Sequence, residues 1–321
     1  LRQIYGSAGK KKCAVMAHAA DNSAYCFGTG EKTGGLDCIV CFAFCIKCAI
    51  KTIVLYFLKD ILREINECDA YFTPYCNIPG GIKVPVYSTI HDVVFLDVKG
   101  LASTAGTFAR KLFYKNAIAK SRCIFTVSEF SSARIKKQLR CKKDICVVYN
   151  GIPAYLETPV EPKPEKDSSI IYIGNIKKHK GLSILLGAYE KFLSKTSFQE
   201  GEKPVLLVVG KQDNFRSSDD SAGATISRIN EAYPDSIKFT GFIGDEDLKV
   251  LIAKSRFLVQ PSLYEGFGIP PLQALYMGTK ALISDISVFK EIYEGFPVTF
   301  FKSEDIDDLA AKMDSLWNSK E

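Results

Sequence analysis

After Cys146 the chain contains no cysteine, although eleven precede or include it. An odd count with that skew is not the framework of a disulfide-stapled miniprotein, and 321 residues can bury a core without staples. Reduced thiols are the expectation. With no signal peptide legible at the first residues, so is a cytosolic protein. Blocks of like charge are also missing. The 42 Lys and Arg are interspersed with 36 Asp and Glu, for a net charge of +6 and a pI near 8.6. That pattern gives no nucleic-acid footprint, whereas a mildly basic surface suits an anionic substrate or an anionic membrane. No transmembrane span is expected either. Ile39 to Leu58 is apolar but encloses Lys47 and Lys51, each costing about 2.5–3.5 kcal/mol near a bilayer centre. A core helix, or one lying on a membrane surface, is the reading. The dinucleotide fingerprint is absent as well. "FGTGEKTGG" supplies Gly28 and Gly30 but then Gly34, with no clear strand before it, so a glycine loop near a cleft is expected.

The cysteines of "DCIVCFAFCIKCAIK" have spacings that invite a metal-site reading. On a helix, Cys38, Cys41, Cys45 and Cys48 share one face but spread over about 15 Å of axis, too far for four thiolates to meet one ion. They read as a buried stripe, free cysteine packing as a small hydrophobe.

Length favours two domains. Between Glu157 and Ser169 runs "ETPVEPKPEKDSS", three prolines among charges without apolar periodicity, which reads as a linker. Its Pro159–Pro162 pair also matches a Pro-x-x-Pro ligand. Beyond it, "SIIYIG", "PVLLVVG", "SIKFTGF", "FLVQPS", "KALIS" and "PVTFF" alternate with helical stretches such as "LSILLGAYEKFL" and "DEDLKVLIAK". Before it, "DAYFTPY", "VPVYSTIHD", "CIFTVS" and "DICVVYNG" alternate with "TAGTFARKLFYKNAIAK" and "SEFSSARIKKQL". Strands alternating with helices imply parallel sheets covered on both faces. The expectation is therefore an α/β protein of two Rossmann-like domains, residues 1–156 and 170–321, joined by a linker at 157–169, with ligand at the carboxyl ends of the strands. The last helix could pack back on the N-terminal domain.

One stretch, "PSLYEGFGIPPLQALYMGTKALIS", concentrates the chemistry. A strand, "FLVQPS", leads through Glu265–Ile269 into a helix with proline at its start and Gly278 at its end. Backbone N–H groups and a helix N-terminus at such a turn suit phosphate oxygens, and Gly266 and Gly268 let the backbone come close. A carboxylate would be repelled by a diphosphate, so Glu265 should reach past it to a hydroxyl-bearing group such as a sugar. The plain alternative is a strand-to-helix turn with a capping glutamate.

This stretch resembles the nucleotide-binding motif of glycosyltransferase family 4, the retaining transferases of the GT-B fold, in which two glutamates stand eight positions apart. "YIGNIKKHKG", "KFTGFIGDEDL", "STIHDVVFL", "TVSEF" and "VVYNGI" extend the likeness from about Cys68 to the C-terminus. The resemblance implies two Rossmann-like domains facing across a cleft, the first for acceptor and the second for the nucleotide sugar. It places Glu265 against the donor sugar, the amides of Gly266, Phe267, Gly268 and Ile269 against the diphosphate, and Gly174, Asn175, Gly210 and Phe242 around the donor. Lys180 would neutralise the leaving diphosphate. Gln273 stands where the second glutamate grips ribose; the loss of a charge-assisted bond should cost about 1–2 kcal/mol, roughly tenfold in donor affinity. Asn175 stands where arginine is frequent.

The resemblance also sets His91 against the donor sugar, with Asp92 orienting its ring. A lone histidine at a strand end can equally be structural. Ser128, in "TVSEF", is either a site residue or a helix cap. "DED" at Asp245–Asp247 and "DID" at Asp305–Asp307 look like metal-binding Asp-x-Asp, but both open helices, where acids are favoured by capping and the macrodipole. No metal and no cofactor are expected, the nucleotide-diphosphate sugar being substrate. The resemblance further implies a hexosyltransferase of polysaccharide assembly, of mannosyl- or rhamnosyltransferase kind. Its saccharide acceptor would be lipid-linked, the N-terminal domain would touch a membrane surface, and the enzyme would be cytoplasmic, peripheral on the inner face. Two rivals stand beside it: a noncatalytic sugar-nucleotide-binding partner subunit, and an oxidoreductase on fold grounds alone.

Overall fold

The computed structural model describes residues 13–15, 60–157, 160, 164–196, 198, 202–210 and 220–319. The chain forms two compact units, Leu1–Val148 and Tyr149–Glu321. The cysteine stripe at 38–48, the apolar stretch at 39–58 and the glycine loop at 27–35 lie outside the described residues.

In the first unit, β1 (Cys13–Val15), β2 (Ala70–Thr73), β3 (Val86–Thr89), β4 (Ser121–Thr126) and β5 (Ile145–Val147) form a parallel sheet in chain order. Helix α1 spans residues 60–66, followed by α2 (Val94–Asp97), α3 (Thr104–Lys120) and α4 (Glu129–Leu139). Right-handed crossovers in an order that never reverses put their helices on one face. The side chains agree. Tyr71 and Val86 pack on Ile61 and Ile65 of α1 and Ala117 of α3, while Ile124 packs on Ile135 and Leu139 of α4. Their alternates Phe72, Tyr87, Cys123 and Phe125 remain half-buried. Among the described residues, then, this sheet is covered on one face, where the sequence pattern suggested two.

The second unit holds β6 (Ser169–Ile173), β7 (Val205–Val209), β8 (Ile237–Phe239), β9 (Phe257–Gln260), β10 (Lys280–Ser284) and β11 (Val298–Phe301), all parallel, in the order β11-β10-β9-β6-β7-β8. Its helices are α5 (Leu182–Lys195), α6 (Asp220–Ala232), α7 (Asp245–Lys254), α8 (Ile269–Tyr276), α9 (Ser287–Tyr293) and α10 (Ile306–Asn318). The chain winds one way from β6 to β8, then returns to place β9 on the other side of β6. A crevice opens where the order reverses, at the carboxyl ends of β6 and β9.

Side-chain contacts fix the chain on both sides of the expected linker and at its last helix. Residues 149–156 cluster with the second unit, because Leu156 is fully buried there, Tyr155 binds Gln273, and the Tyr149 hydroxyl donates to Glu291 Oε1 at 3.2 Å. The described end of the linker is not loose. Lys166 Nζ donates to Ala253 O and Thr279 Oγ1, and Asp167 N to Lys254 O. Helix α10 stays in the second unit, where Leu309, Met313 and Trp317 enter the core beside α5. Burial of the Trp317 ring, with Arg256 stacked 4.5 Å from its centroid, holds it there.

Candidate active site

Two strand ends are drawn together at the crevice of the second unit. After β6 the chain makes one 3-10 turn, Lys178–Lys180, and leaves it through Gly181 at φ 72°. A Cβ on Gly181 would lie 1.9 Å from Pro261 O, so only glycine lets the β6 and β9 loops approach this closely. Leu263 N donates to His179 O at 2.8 Å and ties the same two loops.

That approach delivers Lys180 to Glu265. Lys180 Nζ lies 2.7 Å from both carboxylate oxygens of Glu265, which also accepts from Ser262 Oγ at 2.8 Å and Gln260 Nε2 at 3.4 Å. Glu265 is 8% exposed. At that depth its ammonium partner and hydroxyl donor take the place of water around the carboxylate oxygens. The pair is chemically double-ended: a cation for phosphate oxygens and an acceptor for sugar hydroxyls, neutralising each other.

The glycine loop that follows is set by sterics. Gly268 caps α8 at φ 93°, and a Cβ there would meet the Phe289 ring at 2.3 Å. Tyr293, its phenol pKa raised by burial, donates to Gly268 O and takes the N–H of Leu272. Pro270 and Pro271 have no N–H, so backbone donors near this helix start come from the loop that precedes them. Phe267 is buried and packs near Tyr149, contributing its backbone rather than its ring, whereas Ile269 is partly exposed.

Apart from Gln273, the other predicted residues lie at or near element ends within their own units. Gly174 and Asn175 follow β6; Asn175 is exposed, and its main-chain O accepts from Lys177 N. Gly210 bridges Gly241 across the ends of β7 and β8, beside an exposed Phe242. Gln273, 6% exposed on α8, donates from Nε2 to Tyr155 Oη at 2.5 Å. His91, Asp92 and Ser128 belong to the other unit, at the ends of β3 and β4. The His91 ring is held by Pro74 O at 2.9 Å from Nε2, which fixes the proton on that nitrogen. Asp92 Oδ1 accepts from Val94 N at the start of α2, and Ser128 Oγ accepts from Ser131 N, capping α4. Asp305 caps α10 through the N–H groups of Asp307 and Asp308, and Asp245–Asp247 fill the first turn of α7.

Sequence reading missed Tyr155, Gln260, Ser262 and Tyr293. Gln260 carried a signal, as a polar residue closing a strand otherwise wholly apolar. The other three owe their place to tertiary contacts.

His179 is 6% exposed, and its Nδ1 has no hydrogen-bond partner among the described residues. Burial, then Lys180, push its pKa down to about 4, with Glu265 pulling upward and Lys177 downward. The imidazole is thus neutral in the fold, while the unfolded chain takes up a proton below about pH 6.5. Stability is full above that pH and falls as pH drops towards 4, by about 3 kcal/mol at most. Urea unfolding at pH 7 and pH 4.5 should show this loss in the parent and a flatter response in His179→Leu; parallel pH dependences would contradict it.

The family model for glycosyl transferases group 1 matches residues 156–321, all of the second unit but its first seven residues. The O-antigen chain mannosyltransferase RfbU of Salmonella typhimurium is 25% identical over 58% of this chain and 50% of its own length. The O-antigen chain mannosyltransferase B of Escherichia coli is 28% identical over 72% of this chain and 60% of its own. The chain thus spans about half to three fifths of these two relatives. Among solved structures, sucrose-phosphate synthase from Thermosynechococcus elongatus superposes with a TM-score of 0.62 at 18% identity, covering 83% of this chain and 68% of that one. Anabaena Alr3699/HepE, in complex with UDP and glucose, gives 0.61 at 14%, covering 85% and 75%. These likenesses fix the GT-B fold of two Rossmann-like domains, and with half its length matched by the family model, the chain belongs to the group 1 glycosyl transferases.

Proposed function

We propose that the protein is a retaining hexosyltransferase that moves a sugar from a nucleotide-diphosphate donor to an acceptor hydroxyl without a metal ion. The observation that carries this reading is the Lys180–Glu265 pair at the crevice between β6 and β9. A bound donor would exchange the pair's mutual partner for its own groups. Lys180 turns to the diphosphate and, with the loop amides, stabilises the charge that develops as it leaves. Glu265, held by Ser262 and Gln260, accepts from sugar hydroxyls. The departing phosphate takes the acceptor proton on the same face.

The acceptor we favour is a lipid-linked saccharide in polysaccharide or glycan assembly, met at the cytoplasmic membrane face. Support comes from α3, which exposes Phe108, Leu112 and Phe113 at 63%, 53% and 58%. Arg110, Lys111, Lys115 and Lys120 lie among them and the helix has no acidic residue, a composition suited to an anionic interface. No helix among the described residues is long and apolar enough to cross a membrane.

The test combines GDP-, UDP- and dTDP-sugars with a lipid-linked saccharide acceptor on anionic vesicles. One donor should release its nucleoside diphosphate in EDTA, and the protein should float with the vesicles. Release abolished by EDTA removes metal independence; failure to float removes the membrane contact. A noncatalytic sugar-nucleotide-binding subunit is the second reading, favoured by Gln273 and Asn175 where charge is usual. Binding without release from any donor would select it.

A further inference from the structure

Gln273 raises a question that a glutamate would not. A carboxylate presents an acceptor whichever way its last torsion turns, whereas an amide presents an acceptor on one side and a donor on the other. To read hydroxyl groups consistently, the amide needs something to set it. Tyr155 is placed to do so. Its phenol oxygen receives Gln273 Nε2 at 2.5 Å, and its own backbone is pinned, Lys249 Nζ lying 3.5 Å from Tyr155 O while also pairing with Glu246 at 2.6 Å. Lys249 is 4% exposed and the adjoining Leu156 fully buried, so this short turn is anchored at Tyr155 and at the residue after it. Among the described residues, Gln273 Oε1 has no hydrogen-bond partner.

We infer that Tyr155 is a positioning residue for nucleotide recognition: it holds the nitrogen end of the Gln273 amide so that the oxygen end accepts from a ribose hydroxyl. The inference rests on the reading of this unit as a nucleotide-diphosphate site, and goes further by giving a role to a residue outside the sequence motif. The Tyr155–Gln273 pair then does with two neutral side chains what one carboxylate does alone, and the ribose contact survives without the charge.

The experiment is calorimetric titration of the full chain with GDP and UDP and with their 2′,3′-dideoxy counterparts. Tyr155→Phe should weaken the preferred ribonucleotide about fivefold to tenfold, one hydrogen bond's worth, and leave its dideoxy counterpart within about twofold. In a Gln273→Glu background, Tyr155→Phe should leave the ribose preference unchanged, since a carboxylate needs no orienting partner. Equal weakening of both ligands would mean that Tyr155 only packs, and no weakening would mean that it does nothing; either overturns the inference. Should Tyr155→Phe fold poorly, Gln273→Ala must abolish the ribose preference by itself, and its failure to do so has the same force. If the parent protein binds dTDP but neither GDP nor UDP, the inference falls; if it binds none of the three, it is the nucleotide-site reading that falls.

Discussion

Glu265→Ala is expected to lower turnover about a hundredfold to a thousandfold, the range seen when a preorganised group at a reacting centre is removed. Nucleoside diphosphate binding should not weaken. Lys180 Nζ contacts both Glu265 oxygens at 2.7 Å, so the carboxylate competes with phosphate for the same ammonium. Alanine removes the competitor, and Lys180, 21% exposed at its side chain, is left to the diphosphate. Glu265→Gln should fall between, because an amide keeps a hydroxyl acceptor but gives up the charge. Steady-state kinetics beside calorimetry separates the two effects. Parallel loss of turnover and of diphosphate binding would mean that Glu265 supports the loop rather than the sugar.

The second large effect belongs to Gly181. Gly181→Ala should destabilise the chain by about 3 kcal/mol or more and disable the site in whatever protein remains folded. Two costs add: a left-handed backbone is worth about 1–2 kcal/mol to any residue with a Cβ, and that Cβ would press on a backbone oxygen 1.9 Å away, which no side-chain rotation relieves. Separation of the loops moves Lys180 off Glu265 as well. Gly223→Ala is the control with opposite sign. Gly223 lies within α6, where an added Cβ meets nothing within 4 Å, so alanine should stabilise by about 0.5–1 kcal/mol. Urea midpoints of the three proteins decide the matter; a mild Gly181→Ala would mean that the two loops can part without loss.

Much of the fold was legible because alternation of β-branched runs with amphipathic stretches is a local property. "FLVQ", "KALIS" and "VTFF" became β9, β10 and β11 at the positions read from sequence, and "TAGTFARKLFYKNAIAK" became α3. Strand order is not local. Nothing in "YIG" or "VQPS" says that β6 and β9 are neighbours, and that adjacency is what makes a site of residues 85 positions apart. The resemblance named Lys180 and Glu265, but the ion pair between them is a property of the folded loops. Domain limits are not local either. Prolines and charges at 157–169 look like a linker, yet Tyr155 and Lys166 fasten that neighbourhood through side chains whose partners lie about 90 or more residues away. Side-chain partners at the end of β3 are equally invisible in the sequence: the Asp92 carboxylate accepts from Val94 N at the next turn, and a proline carbonyl holds the His91 ring.

The central claim is that the second unit binds a nucleoside diphosphate through Lys180. Calorimetric titration of the parent chain and of Lys180→Met with GDP, UDP and dTDP, in EDTA, tests it most directly. One nucleotide should bind the parent and lose at least about tenfold in Lys180→Met, as expected for removal of a charged hydrogen-bond donor. Equal affinity in the two proteins, or no binding of any of the three to the parent, would contradict the account.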